Sequence, residues 1–120
     1  MNFHFQNLKF RTIKEIKRIK EFNEIVPGDK PILLDFYAEW CGPCQALLPT
    51  VEKLAEKHKD DFVIAKVNVD HNTELAQEFS VRSIPALFFI KDREVKERLM
   101  GIQTEQVLDE KIHSYLEVAV

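Results

Sequence analysis

The stretch DFYAEWCGPCQ, residues 35–45, contains the only two cysteines of this 120-residue chain, Cys41 and Cys44. It begins inside PILLDFYA, residues 31–38, a near-continuous apolar run with the length of a strand buried on both faces. Apolar residues recur at helical spacing from there to residue 58, which predicts a helix over 42–58. The cysteines are therefore predicted to lie where a buried strand passes into a helix, the edge at which α/β sheets place their sites.

A cysteine pair at a helix start favours thiol–disulfide chemistry. Unpaired backbone N–H groups and the positive end of the helix dipole stabilise a thiolate there. We expect Cys41 to be the exposed, acidic attacking thiol and Cys44, one turn into the helix, to be the buried thiol that resolves a mixed disulfide. Gly42 and Pro43 fit a tight helix entry, because glycine permits unusual dihedral angles and proline needs no N–H partner.

Half of a zinc site is the alternative interpretation of two cysteines at this spacing. Such a site needs two more ligands, yet the chain has no second cysteine pair. Its four histidines (His4, His58, His71 and His113) are scattered along the sequence without ligand spacing. The sequence therefore favours redox chemistry, and we predict no metal site.

Asp35 is a carboxylate inside an apolar strand, and burial without a partner is expected to raise its pKa. One interpretation is structural: Lys66, in the apolar run of the next strand, pairs with it. The other is functional: Asp35 accepts the proton of Cys44 when that thiol must attack. The two are compatible, and the position of Asp35 on the strand that leads to the cysteines favours the functional one.

The rest of the chain predicts an α/β architecture. The period-three apolar series from Ile13 to Ile25 indicates a helix, although its first part could be a strand. Further elements are predicted as strands at 62–69, 86–90 and 94–100, a short helix from Asn72 to Phe79, and a last helix capped by Thr104. This order predicts a mixed sheet covered by helices on both faces.

Charge and hydropathy exclude several classes of protein. The net charge of −3 gives no reason to expect nucleic acid as a partner. Residues 1–20 carry six basic side chains and one acidic side chain, Glu15, which gives this segment a charge of +5 and the other 100 residues a charge of −8. We interpret the basic segment as a solvated surface rather than as a contact with an anionic partner or a membrane. The start of the chain lacks the pattern of a secretory signal, and no apolar stretch reaches transmembrane length. We expect a cytoplasmic protein that does not bind a membrane.

The stretch WCGPC at 40–44 resembles the active-site signature of the thioredoxin family. Supporting motifs follow in the family's order; they are AKVNVD at 65–70, SIPALFF at 83–89 and Gly101. The resemblance covers essentially the whole chain. It implies the thioredoxin fold, with a thioredoxin domain at 12–120 after an amino-terminal extension at 1–11.

By this resemblance Cys41 is the nucleophile, Cys44 the resolving thiol and Asp35 the buried proton carrier, with Lys66 beside it. Pro85, which by itself is either a strand starter or a cis-proline, becomes the cis-proline that faces the cysteines. The resemblance also implies a shallow apolar groove for an extended substrate segment. Its residues would be Trp40, Gly42, Pro43, Ile84, Pro85 and Gly101.

The implied activity is reduction of protein disulfides by dithiol–disulfide exchange. The chain would be a monomer that binds no cofactor, receives its electrons from NADPH through thioredoxin reductase, and passes them to disulfide-containing target proteins. An oxidase or isomerase would be expected to carry an export signal and a different dipeptide between the cysteines; a docking module that uses the fold alone is the other alternative. Four positions depart from the family pattern: Tyr37 replaces a frequent tryptophan, Gln45 a frequent lysine, Ala86 a common threonine and Arg93 a turn glycine. Because Arg93 is not glycine, we expect that turn to avoid positive φ.

Overall fold

The computed structural model describes residues 13–117, in which strands and helices alternate largely as the sequence predicts. The expected extension at 1–11 lies outside the described residues, as do the two ends of the expected domain at 12–120. Within the described residues the elements have the following bounds. They are β1 (Ile13–Ile16), α1 (Ile19–Ile25), β2 (Ile32–Tyr37), α2 (Gly42–Lys57), β3 (Val63–Asn68), α3 (Thr73–Glu78), β4 (Ala86–Lys91), β5 (Glu94–Met100) and α4 (Glu105–Leu116).

The five strands form one mixed sheet in the order β1-β3-β2-β4-β5. Strands β1 and β2 both run parallel to β3, whereas β4 is antiparallel to β2 and β5 is antiparallel to β4. The central strand β2 contains Asp35, which lies opposite Lys66 of β3 on one side and Leu87 of β4 on the other. The mixed sheet predicted from the order of elements is confirmed, and it places Asp35 in the middle of the sheet.

Helices cover both faces of the sheet, because each strand directs alternate side chains to opposite layers. On one face Leu33 packs beneath α2 and α4. On the other, Leu34 and Phe36 pack beneath α1 and α3. All six residues of β2 are buried, which explains the continuous apolar run in the sequence. Each fully buried aliphatic or aromatic side chain contributes about 1.5–3 kcal/mol, so these two layers hold the helices on the sheet.

The sequence did not decide between helix and strand for the first part of residues 13–25, and the structure contains a strand followed by a helix there. Ile13 to Ile16 pair in parallel with β3, and the helix begins only at Ile19.

Asn72, the residue before α3, makes no side-chain cap. Its buried amide instead donates 3.1 Å hydrogen bonds to the carbonyl oxygens of Ile16 and Asn68, tying the end of β1 to the end of β3.

The prediction that the β4–β5 turn avoids positive φ is wrong. Asp92 and Arg93 form the two-residue connection with φ of 54° and 66°. A type I′ turn, one of the two types whose twist matches that of the flanking strands in a two-residue hairpin, has both central residues at positive φ. Arg93 therefore adopts a conformation that glycine would adopt at lower cost.

No helix within residues 13–117 is both long enough and apolar enough to cross a membrane.

Candidate active site at the start of the second helix

Cys41 and Cys44 form a disulfide at the amino end of α2, with their Cα atoms 5.3 Å apart. Cys41 is the N-cap residue with extended backbone, and its Sγ accepts a hydrogen bond from the backbone N–H of Cys44 at 3.2 Å. Pro43 occupies the first helical turn, where its missing N–H is not needed. The junction predicted from the sequence is present, and a backbone donor already points at the Cys41 sulfur.

Two local expectations about this junction are wrong. Cys41 is only 5% exposed rather than exposed, because Tyr37, Ala38 and Ile84 pack around it and its Sγ lies 3.9 Å from the Ile84 carbonyl oxygen. Gly42 has no positive φ, and a Cβ built on it would meet no atom within 4 Å. Gly42 is therefore an ordinary first helical residue, and the tight entry does not depend on unusual glycine dihedrals.

Asp35 is buried on the face of the sheet that α2 covers. It is 1% exposed, and its Oδ1 atom has no hydrogen-bond partner. Burial raises the pKa of Asp35 from 3.8 to about 7, while the positive charge of Lys66 opposes that rise. Near neutral pH this carboxyl group can therefore take up or release a proton, as general acid–base chemistry requires.

Lys66 pairs with Glu15 of β1 rather than with Asp35. Its Nζ lies 3.8 Å from Glu15 Oε1 and 5.3 Å from the centre of the Tyr37 ring. Tyr37 donates a 2.8 Å hydrogen bond from its hydroxyl to Glu15 Oε2. Burial, followed by that hydrogen bond, raises the pKa of Tyr37. The structural partner expected for Asp35 is thus engaged elsewhere.

Glu15 is the residue that the sequence analysis missed. It is 20 residues from Asp35 and lies in a segment that the sequence left open between helix and strand. Once β1 is a strand, its parallel register with β3 places Glu15 directly opposite Lys66. The alternation of side chains along a strand could have indicated this position. Glu15 follows Ile13 by two residues, so both side chains face the same side of the sheet.

An apolar depression adjoins the cysteines. It has a volume of about 160 Å³, and Trp40 and Ile84 line it together with neighbouring side chains. The neighbours are Val69, Ala76, Val81, Arg82 and Ser83. Trp40 is 72% exposed and donates a 2.9 Å hydrogen bond from Nε1 to Asp70 Oδ2, so its ring is held at the surface.

The loops on either side of the hairpin complete this surface. The Ile84–Pro85 peptide bond is cis. The carbonyl oxygen of Pro85 accepts a 2.8 Å hydrogen bond from the N–H of Gly101, which has a φ of +81°. Gly42 and Pro43 are exposed at the start of α2. Among the predicted groove residues, Trp40 and Ile84 share the depression, whereas the others lie outside its lining.

Two of the four histidines are not scattered in space. His58, at the end of α2, is buried with its Nε2 2.7 Å from Asp109 Oδ1, and His113 Nδ1 lies 3.5 Å from Asp109 Oδ2. The expectation that no histidines share ligand spacing is therefore wrong. Its error came from counting separation along the chain, whereas α2 and α4 pack side by side.

Comparison with known proteins gives one consistent result. The family model described as Thioredoxin matches residues 13–114. A thioredoxin from Alicyclobacillus acidocaldarius subsp. acidocaldarius is 40% identical over 96 residues, covering 80% of this chain and 91% of that protein. The solved structure of a mutant thioredoxin from Halobacterium salinarum NRC-1 is 39% identical, with a TM-score of 0.83 over 90% of this chain and 94% of that one. The thioredoxin of Fasciola hepatica gives 34% identity and a TM-score of 0.78, covering 85% of this chain and 98% of that chain.

Proposed function

This chain belongs to the thioredoxin family and is a thioredoxin-type protein-disulfide oxidoreductase, and we propose that it reduces disulfides in target proteins through its WCGPC active site. The observation that assigns Cys41 as the attacking thiol is the hydrogen bond from the Cys44 N–H to Cys41 Sγ at the amino end of α2. A donor already aimed at this sulfur stabilises its thiolate once the disulfide has been reduced.

In the proposed reaction the Cys41 thiolate attacks one sulfur of the target disulfide. A bond forms between Cys41 and that sulfur, and the second target sulfur leaves as a thiolate. The Cys44 thiolate then attacks Cys41, which releases the first target sulfur and closes the Cys41–Cys44 disulfide. Two electrons pass to the target, and the chain ends in the disulfide state that the structure holds.

Asp35 is proposed as the group that accepts the proton of Cys44 before the second step. The raised pKa of about 7 supports this role, because the ionised form is present near neutral pH while the protonated form remains accessible. Lys66 is proposed to act on Asp35 by its charge, without an ion pair between them. Its contact with Glu15 supports that view, since it keeps the ammonium group engaged on β1.

The target segment is proposed to lie across Trp40, Gly42, Pro43, Ile84, Pro85 and Gly101. Support comes from the exposed Trp40 ring and from the apolar depression that it shares with Ile84 next to the cysteines. Such a shallow surface suits an extended segment held mainly by its main chain, which allows many different sequences to bind. Specific pockets are not required for general disulfide reduction.

The proposed cycle is completed by thioredoxin reductase, which would return electrons from NADPH to the Cys41–Cys44 disulfide. The chain would need no bound cofactor of its own, because the disulfide itself carries the two electrons. We further propose that it works in the cytoplasm as a monomer, with residues 12–120 as the functional domain and residues 1–11 as an extension. Disulfide-containing proteins would be its targets, without involvement of nucleic acid or membrane.

Trapping the mixed disulfide tests the assignment of the two thiols. The variant Cys44→Ser should accumulate a covalent complex with a disulfide-containing protein such as insulin, seen on non-reducing gels and by mass spectrometry. The matched variant Cys41→Ser should give no such complex, because Cys41 alone occupies the helix N-cap, where a backbone N–H points at its sulfur and stabilises the attacking thiolate. Equal trapping by both variants would contradict the assignment, and a cellular function that survives replacement of both cysteines by serine would contradict the reductase function in favour of docking alone.

A further inference from the structure

Three possible metal ligands meet where the end of α2 packs beside α4. They are His58, Asp109 and His113, and one ligand atom from each lies within 4.8 Å of the other two. His58 is 6% exposed, whereas the His113 side chain is 57% exposed. The cluster is thus anchored at a buried imidazole and open to solvent at an exposed one, on the same face of the sheet as the disulfide helix.

The two helices fix these positions. Asp109 and His113 are four residues apart on α4, so their side chains lie on the same face of that helix. His58 is the C-cap residue of α2. Leu54 of α2 and Ile112 of α4 are both fully buried in the layer beneath these helices, which holds one helix against the other. The three ligands therefore belong to rigid elements, which is the usual requirement for a built site.

We propose that His58, Asp109 and His113 bind a divalent transition-metal ion of the Zn²⁺ class. Two imidazoles and one carboxylate are a set that zinc accepts, with a fourth position left to water. The imidazoles argue against Mg²⁺ and Ca²⁺, which prefer oxygen ligands. Nothing in the proposed disulfide chemistry uses this cluster, so the inference is independent of that function.

The distances suit a tetrahedral ion after a small adjustment. Ligand atoms on a tetrahedral Zn²⁺ lie about 3.4 Å apart, since each is about 2.0–2.2 Å from the metal. His113 Nδ1 lies 3.5 Å from Asp109 Oδ2, close to this spacing, and to ligate the ion it must release its 2.9 Å hydrogen bond to the backbone carbonyl oxygen of Asp109. The 2.7 Å hydrogen bond between His58 Nε2 and Asp109 Oδ1 must open by less than about 1 Å.

Lys57 is the competitor for this site. Its ammonium group lies 3.0 Å from Asp109 Oδ2, and its side chain is 51% exposed. The Asp109 carboxylate is shared between Lys57 at Oδ2 and His58 at Oδ1, so an incoming ion would compete with Lys57 for Oδ2. A metal ion would displace the Lys57 ammonium into solvent, where it is readily hydrated.

Bound metal would stabilise the folded chain, because it joins α2 to α4 and favours the state in which both helices are in place. Titration calorimetry with ZnCl₂ tests this on the oxidised full chain without an affinity tag. In that state both cysteines are held in the disulfide and cannot ligate zinc. We expect binding of one ion per chain, and an accompanying rise in the thermal unfolding midpoint.

Two histidine variants separate this site from incidental binding. His113→Gln should weaken Zn²⁺ binding about tenfold or more, since the loss of a direct ligand exceeds the usual effect of an outer-shell change. His71→Gln removes another exposed histidine, outside the cluster, and should leave the affinity unchanged. Equal affinity of His113→Gln and the parent chain, or no binding by the parent at millimolar Zn²⁺, would overturn the proposal.

Lys57→Gln provides a second test with the opposite sign. Removing the competing ammonium group should tighten Zn²⁺ binding several-fold, and an unchanged or weaker affinity would show that the ion does not occupy the Asp109 carboxylate. Both His113→Gln and Lys57→Gln should retain disulfide exchange in the presence of chelator. Zinc binding and reductase activity therefore succeed or fail separately.

Discussion

Replacing Asp35 with asparagine should make the stability of the oxidised protein less dependent on pH. Asp35 is 1% exposed, and Oδ1 lacks a hydrogen-bond partner, so its charged form is costly in the folded state. Asparagine has nearly the same shape but carries no charge at any pH in the range. The difference in unfolding free energy between parent and variant isolates the ionisation of Asp35, because both chains share every other titrating group.

The sign and magnitude follow from the pKa. Burial raises the pKa of Asp35 from 3.8 to about 7, so the folded state favours the protonated form. Protonated Asp35 therefore contributes its full stabilisation at pH values below 3.8, the pKa of Asp35 in the unfolded chain. That contribution to the unfolding free energy is lost as the pH rises towards about 7, the pKa in the folded chain. Each pKa unit corresponds to about 1.4 kcal/mol, which gives a total penalty of about 4 kcal/mol at alkaline pH. At pH 5 the penalty is about 2 kcal/mol.

Urea unfolding at pH 5, 6, 7 and 8, with the disulfide intact, measures this difference. Between pH 5 and 8 the parent should lose about 2–3 kcal/mol more than Asp35→Asn. The matched control is Asp61→Asn, which removes an exposed carboxylate and should follow the parent at every pH. If the parent and Asp35→Asn instead kept a constant difference across the series, the charge of Asp35 would carry no burial penalty and the reasoning would be refuted.

Three further substitutions test individual features. Glu15→Gln should free Lys66 to approach Asp35, which would lower the pKa of Asp35. In a chain that carries Glu15→Gln, the effect of Asp35→Asn on the unfolding free energy should therefore change less with pH than it does in the parent. An unchanged pH dependence would show that Glu15 does not restrain Lys66. Gly101→Ala should lose about 1–2 kcal/mol in urea unfolding, because its φ of +81° is unfavourable for a side chain although the space around it is open; no loss would contradict this. Arg93→Gly should gain up to about 1 kcal/mol by relieving its φ of 66°, and a loss of stability would contradict that account.

The central part of the fold was predictable because its signals are local. The apolar runs at 31–38 and 62–69 specify β2 and β3, since strands buried on both faces need no alternation. The position of Cys41 at the strand–helix junction followed from the same run and from the helical spacing after it. Thr104 caps α4 as expected, accepting a hydrogen bond from the N–H of Val107 at 3.2 Å.

What the sequence did not reveal depends on contacts between distant segments. Cys41 is buried because Ile84, more than 40 residues later, packs against it. Glu15 reaches Lys66 only through the pairing of β1 with β3, and His58 reaches Asp109 only through the packing of two helices. The periodicity of apolar residues within one segment does not predict such contacts. They depend on how strands pair and how helices pack, which only the folded chain shows.

The midpoint potential of the Cys41–Cys44 couple tests the proposed reductase function most directly. Equilibration of the chain in glutathione or dithiothreitol buffers, followed by thiol alkylation and mass spectrometry, gives the fraction in the disulfide state. A potential below the cytosolic glutathione poise of about −220 to −260 mV is the predicted result, because the dithiol is then a stronger reductant than the glutathione pool. A potential well above that range would contradict the account and indicate an oxidase or isomerase.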